Sequence, residues 1–222
     1  MKFTPGKILT ILFLLTEAVL YWLLLNNGGD IFTICAYGSI ILCFFYALVH
    51  IRTGMWRFVA ALACTVGADY FLVALNPQNQ LMGMVFFLFA QGFYAWQLHS
   101  TCEKKWALYL RLGLTAVAAA ITCIVLGENL DALALISLCY YANLVMNIVV
   151  AWMQFSRYRL AAIGFILFLL CDTVIGLQVA STGYLPIEPG SFLYNIIFPS
   201  FHLSWLFYLP SQVLLSLGSK NK

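Results

Sequence analysis

Long apolar runs follow one another along this chain, separated by short polar interruptions. A helix needs about 20 apolar residues to cross a bilayer. Breaks in apolarity give eight such runs, at 8–25, 31–50, 56–75, 81–100, 106–126, 130–152, 158–181 and 192–217. The breaks carry turn chemistry: Asn26-Asn27-Gly28-Gly29-Asp30, Asn76-Pro77-Gln78-Asn79 and Gly127-Glu128-Asn129. The longest, Gly183 to Gly190, contains Pro186 and Pro189. Within the runs apolarity is continuous rather than alternating, which argues for helices and against a transmembrane barrel.

Composition fixes the solvent. Hydrophobic residues make up 64% of the 222 positions and charged residues 9%, against about 25% charged in a soluble domain. Such a chain cannot cover a water-facing surface, so its medium is lipid. The expected fold is an all-α integral membrane protein: one domain over 1–222, a single bundle of eight transmembrane helices in a multi-pass arrangement in the cell membrane. Nucleic acid is not an expected partner; the bilayer is. The run at 8–25 follows Lys2 and Lys7, but it is longer than a secretory h-region and no A-x-A site follows it. It is read as a retained first helix.

Charge tests the division independently. The 11 basic residues are Lys2, Lys7, Arg52, Arg57, Lys104, Lys105, Arg111, Arg157, Arg159, Lys220 and Lys222. With eight spans, all fall on one side. The opposite loops carry Asp30, Glu128, Asp131 and Glu188 and no Lys or Arg. The positive-inside rule then places both termini in the cytoplasm.

Of the remaining acids Glu103 sits in an inner loop, and Glu17, Asp69 and Asp172 lie well inside predicted spans. A carboxylate at a helix centre costs about 2.5–3.5 kcal/mol on insertion scales, so each is a functional candidate. The plainer alternative is a neutral acid hydrogen-bonded between helices. Glu17 is near mid-span; Asp69 and Asp172 are about two-thirds of the way toward the outer face. Gln91 and His202 reach central depth from the other side, and Asn143 and Asn147, four apart, share a helix face. A polar pocket in the outer half of the bundle is the economical reading. Taken singly, Gln91, Asn143 and Asn147 also suit helix-packing hydrogen bonds, and His202 a satisfied interior histidine. Tyr70, Phe71, Phe93, Tyr94, Tyr140, Tyr141, Trp205 and Tyr208 surround these positions; they suit an acyl-chain channel or bulk packing equally.

Other chemistries find no motif. His50, His99 and His202 are scattered, without an HxxxH or HExxH pair, so no metal site is expected. There is no Gly-rich phosphate loop and no GxSxG elbow. The seven cysteines are irregularly spaced, lack a CxxC, and read as small buried hydrophobes.

Four segments in order resemble the YhhN/lysoplasmalogenase-type membrane family. Gly67-Ala68-Asp69-Tyr70-Phe71-Leu72 is similar to that family's GD-x-x-L motif. The stretch from Gly83 to Tyr94 resembles its G-x-x-x-F…H-x-x-Y helix, Gly164 to Asp172 its G-x-x-L-F-x-x-S-D segment, and Tyr208 to Gln212 its final Y-x-x-x-Q or Y-x-x-x-H. This chain departs by an inserted Ala68, by Gln91 where many members have His, and by Cys171 where many have Ser. It also lacks a Lys often found in the second helix.

The resemblance implies hydrolysis of lysoplasmalogen at its vinyl ether, giving a fatty aldehyde and a glycerophospho-headgroup, with no cofactor. Such ethers cleave by protonation of the β-carbon. Water adds to the resulting oxocarbenium ion and the hemiacetal collapses. That needs a general acid and a carboxylate to steady the cation and guide water, roles that two carboxyls in different surroundings can divide. Asp69 and Asp172 are the expected pair. Gln91, Tyr94, Tyr208 and Gln212 would orient water or headgroup, with Glu17, Asn143 and His202 as further pocket members. Two other classes stay open: a proton-coupled transporter using the buried acids as a relay, which would want internal repeats and broken helices, and a lipid-binding protein without catalysis.

Overall fold

A computed structural model describes residues 5–51, 53–127, 130–183, 187–199 and 201–219. Lys2, Arg52, Lys220 and Lys222, on which part of the charge asymmetry rests, lie outside the described residues, as do Glu128, Asn129 and Pro186. Among the described residues the protein is helical and without strands. The elements are α1 (Pro5–Asn26), α2 (Gly29–Val49), α3 (Trp56–Asp69), a π-helical turn (Tyr70–Ala74), α4 (Gln80–Ser100), α5 (Trp106–Leu126), α6 (Ala132–Met153), α7 (Phe155–Gly183), α8 (Phe192–Ile197) and α9 (Leu203–Gly218). Seven helical stretches, those of α1 to α7 with the π turn continuing α3, are long and apolar enough to cross a membrane.

The polar breaks act as caps. Asn79 accepts a hydrogen bond from the Met82 amide at 3.1 Å and opens α4. Asp131 does the same for α6, accepting from Ala134 at 2.6 Å. Each satisfies an amide that the first helical turn leaves without a partner. Gly127 closes α5 at φ +48°, a conformation that costs a residue with a Cβ.

Two predicted spans differ from expectation. The run at 56–75 is not one regular helix, because its last turn widens to the π form directly after Asp69. The run at 192–217 is two pieces, α8 and α9, separated at 198–202. Pro199 lies in that break, where its ring removes an amide donor and pushes Phe198 out of the helical region. α9 holds Pro210 within it. The missing Pro210 amide frees the Leu206 carbonyl one turn earlier, and Tyr21 of α1 donates its hydroxyl to that carbonyl at 3.0 Å.

The core lies where α3, α4, α6, α7 and α9 meet, with α7 against α9, α3 against α4 and α4 against α6 as the main pairings. Small residues bring these helices close, as van der Waals packing in lipid requires. A Cβ on Gly67 would lie 2.7 Å from the Phe86 ring, and one on Gly83 would lie 2.4 Å from Leu72. One on Gly164 would lie 3.1 Å from the Ser211 carbonyl of α9. α1 sits outside this core against α2 and α9. α5 packs mainly on α6 and buries only Ala107, Arg111 and Thr122.

Candidate functional site

Asp69 is the last residue of α3, immediately before the π turn, and is 2% exposed. Its Oδ2 accepts a hydrogen bond from the Tyr208 hydroxyl of α9 at 2.5 Å. Asp172, in α7, is partly buried, and its Oδ2 accepts from the Tyr140 hydroxyl of α6. One rung further on, Tyr141 and Thr173 join the same two helices at 3.0 Å. Each aspartate is thus held by a phenol from a neighbouring helix, and among the described residues no cation bonds either carboxyl.

The two pairs share walls. The Phe87 ring centroid is 5.7 Å from Tyr140 and 6.3 Å from Tyr208. Phe168 is 5.3 Å from Tyr208 and 6.3 Å from Tyr140. Phe87 and Phe168 also touch each other, with centroids 5.6 Å apart. Trp205 stands edge-on to Tyr208 at 5.0 Å. Five helices therefore meet at one aromatic box: α3 and α7 bring the acids, α6 and α9 the phenols, α4 the Phe87 wall.

The motif glycines set this box. Gly67 lets α3 approach α4 two residues before Asp69. Gly83 admits Leu72, from the π turn, one helical turn before Phe87. Gly164 brings α7 onto α9, the helix of Tyr208.

One helical turn along α4 from Phe87 lies a second polar layer. Gln91, one turn beyond Phe87, is fully buried. Its side-chain Oε1 accepts from Asn147 Nδ2 at 2.7 Å and its main-chain carbonyl from the same nitrogen at 3.1 Å. Asn147 Oδ1 accepts from Arg111 Nη2 at 2.8 Å. Arg111 Nη1 donates to Asn143 Oδ1 at 3.0 Å and to its carbonyl at 3.2 Å, and Nε to His99 Nε2 at 3.0 Å. Gln91 Nε2, Tyr94 Oη and Gln212 Oε1 are buried without a hydrogen-bond partner among the described residues. Gln212 Nε2 donates to Ser211 Oγ at 3.3 Å.

Several expected members stand elsewhere. Glu17 is buried between α1 and α2, its carboxyl taken by Ser39 Oγ at 2.5 Å and Cys43 Sγ at 3.5 Å. The residues that hold Asp69 and Asp172 do not engage it. His202 is not at central depth. The break in the last run makes it the residue before α9, exposed and with its ring tilted against Phe32, centroids 4.1 Å apart. Arg111, one of the basic residues that mark one side of the bundle, is buried inside α5. From sequence Tyr140 reads only as one of the aromatic residues around the polar positions, not as the partner of Asp172. Its spacing carried a signal, because Tyr140, Asn143 and Asn147 follow at three and four residues and so share one face of α6. Among the described residues no group of His, Cys, Asp and Glu is placed to hold a metal ion.

A bundle of span-length helices enclosing acidic side chains defines a multi-pass membrane protein with a buried polar centre. The sequence model of the YhhN family matches residues 39–218, from α2 to the end of α9, and the chain belongs to that family. The match leaves out α1 and with it Glu17. No curated protein and no solved structure matches the chain.

Proposed function

We propose that this protein hydrolyses a lysophospholipid ether within the membrane, by cleaving the vinyl ether of a lysoplasmalogen. The reading is supported most by the two phenol-bonded carboxyls, Asp69 and Asp172, on one aromatic box of α3, α4, α6, α7 and α9. Family membership supports it at the level of the family.

In this scheme one aspartic acid gives its proton to the β-carbon of the enol ether. The electron pair of the double bond forms the new C–H bond, and the ether oxygen shares the positive charge left on the α-carbon. The other aspartate, as carboxylate, steadies that charge and takes a proton from the water that adds to the α-carbon. The hemiacetal then breaks its bond to the glycerol oxygen, which leaves protonated, and a fatty aldehyde remains. Water is consumed and no redox partner is needed. The phenols of Tyr140 and Tyr208 fix the carboxyls so that each presents its other oxygen to the substrate, the kind of positioning that converts proximity into rate. Phe87, Phe168 and Trp205 exclude bulk water and give a π-rich surface to the developing cation. Gln91, Tyr94 and Gln212 offer unpaired polar atoms one layer below, suited to water or glycerol hydroxyls.

The test is aldehyde release from purified protein given a lysoplasmalogen, beside the Asp69→Asn and Asp172→Asn variants. Bound lysolipid without turnover would favour a lipid-binding protein instead. Uptake into proteoliposomes driven by a pH gradient, without hydrolysis, would favour a transporter.

A further inference from the structure

Arg111 is 5% exposed, and every recorded partner it has is uncharged: His99, Asn143 and Asn147. A guanidinium taken out of water is costly to bury unless an anion offsets it. Among the described residues these bonds leave one Nη2 hydrogen without a partner. A second unused donor, Gln91 Nε2, belongs to the amide group that accepts from Asn147, and Asn147 in turn accepts from Arg111. One asparagine thus separates a buried cation and a buried donor, both short of an acceptor.

The position of this pair is informative. Arg111 lies five residues into α5, about 8 Å beyond Trp106, Lys105 and Lys104. That is near the boundary between headgroups and hydrocarbon on the basic side. Tyr140, which holds Asp172, precedes Asn147 by seven residues on the same face of α6, a rise of about 10 Å toward the opposite side. In a lysophospholipid five bonds join the phosphorus to the sn-1 ether oxygen and seven join it to the vinyl β-carbon that takes the proton, a reach of the same order as that rise. A lipid in the basic-side leaflet carries its phosphate at the boundary and its ether nearer the midplane, in the same order as Arg111 and the aspartates.

We infer that Arg111 and Gln91 form a phosphate-binding end of the substrate site. A lysophospholipid is then held with its phosphate toward the Lys104–Lys105 face and its ether in the Tyr–Asp box. The phosphate takes the place of the Asn147 side chain between the two donors, gaining the planar fork that suits guanidinium to phosphate. This rests on the hydrolase reading for the identity of the ligand, but binding alone tests it.

The ligands for that test cannot be cleaved: a 1-O-alkyl-glycerophosphoethanolamine, whose ether is saturated, and the phosphate-free 1-O-alkylglycerol of the same chain. Dissociation constants are measured for the purified protein in detergent. The wild type binds the phosphate-bearing ether at least about tenfold more tightly than the alkylglycerol. Arg111→Gln removes that preference and leaves the alkylglycerol affinity the same; Gln91→Leu, which leaves α5 docked, narrows the preference. Equal affinities in the wild type would overturn the inference, as would an undiminished preference in either variant. Equal weakening toward both ligands would make Arg111 only a clasp between α5 and α6. The wild-type and Gln91→Leu results decide the matter if Arg111→Gln does not fold. Inorganic phosphate is expected to compete weakly; competition as strong as the lysolipid's would assign the site to free phosphate instead. Selective binding without aldehyde release would sink the hydrolase reading and leave this site standing, and hydrolysis without selectivity would do the reverse.

Discussion

Tyr208 places its hydroxyl 2.5 Å from Asp69 Oδ2, joining the end of α3 to the middle of α9 across the centre of the bundle. Tyr140 does the same for Asp172 between α6 and α7. Replacing either phenol by Phe leaves a buried carboxyl one donor short while the packing surface remains. Tyr208→Phe and Tyr140→Phe should each destabilise the protein by about 1–3 kcal/mol, measured by unfolding in detergent. Each should also lower kcat for vinyl ether cleavage more than it raises KM, because the phenol orients the acid rather than binding the lipid. Unchanged kcat in both would remove the phenols from the scheme.

Glu17 offers the contrast. Its carboxyl is engaged by Ser39 and Cys43 at the α1–α2 contact, and α1 lies outside the part of the chain that the family shares. Gln is a near-isostere that still bonds Ser39. Glu17→Gln should therefore leave the rate of aldehyde release at its wild-type value. Loss of turnover to the degree seen on replacing Asp69 would return Glu17 to the site.

Glycine substitutions separate close approach from open space. Gly83→Ala and Gly67→Ala drive a methyl into Leu72 and Phe86, and overpacking of this kind costs about 1–3 kcal/mol. Gly92, also in α4, has nothing within 4 Å of the same construction. Gly92→Ala should be neutral or stabilising by up to about 1 kcal/mol, since Ala is the better helix former. Thermal unfolding of the three variants checks the order.

Pro210 and Tyr21 form a compensated pair. The Leu206 carbonyl that Pro210 leaves free is satisfied by the Tyr21 hydroxyl. Tyr21→Phe should cost about 0.5–1.5 kcal/mol. In a Pro210→Ala background the backbone regains an amide at that position, which takes over the Leu206 carbonyl. There the same substitution should cost less. A double-mutant cycle with no coupling would contradict this account.

Much of the fold was legible because lipid imposes a single rule, and long apolar runs obey it from α1 to α7. The polar break ending at Asn79 marks the start of α4, which Asn79 caps, whereas Asp131, inside the predicted run at 130–152, caps an α6 that begins at Ala132. What was not legible depended on backbone detail within an apolar run. Nothing in Tyr70 to Ala74 signals a π turn. The run at 192–217 stays apolar across a break that Pro199 makes. His202 lies outside the expected span for that reason alone, because depth counted along a continuous helix does not carry across the break. Asp69 and Asp172 stood out because a carboxyl in a span is anomalous. Tyr140 did not, because a phenol among eighteen phenylalanines and twelve tyrosines is not. A basic residue near a span end, as Arg111 is, reads from sequence as an anchor. Only packing reveals that its side chain turns inward to Asn143 and Asn147.

The central claim is that Asp69 and Asp172 act together on a vinyl ether, and single-turnover aldehyde release tests it most directly. Asn in place of either residue still accepts the phenol hydrogen bond, so both variants should purify folded and bind lysolipid. Each should cleave slower than wild type by between about a hundredfold and ten-thousandfold. The double variant should be little worse than either single one, because the two carboxyls serve one reaction. Wild-type cleavage rates in folded Asp69→Asn or Asp172→Asn would contradict the account.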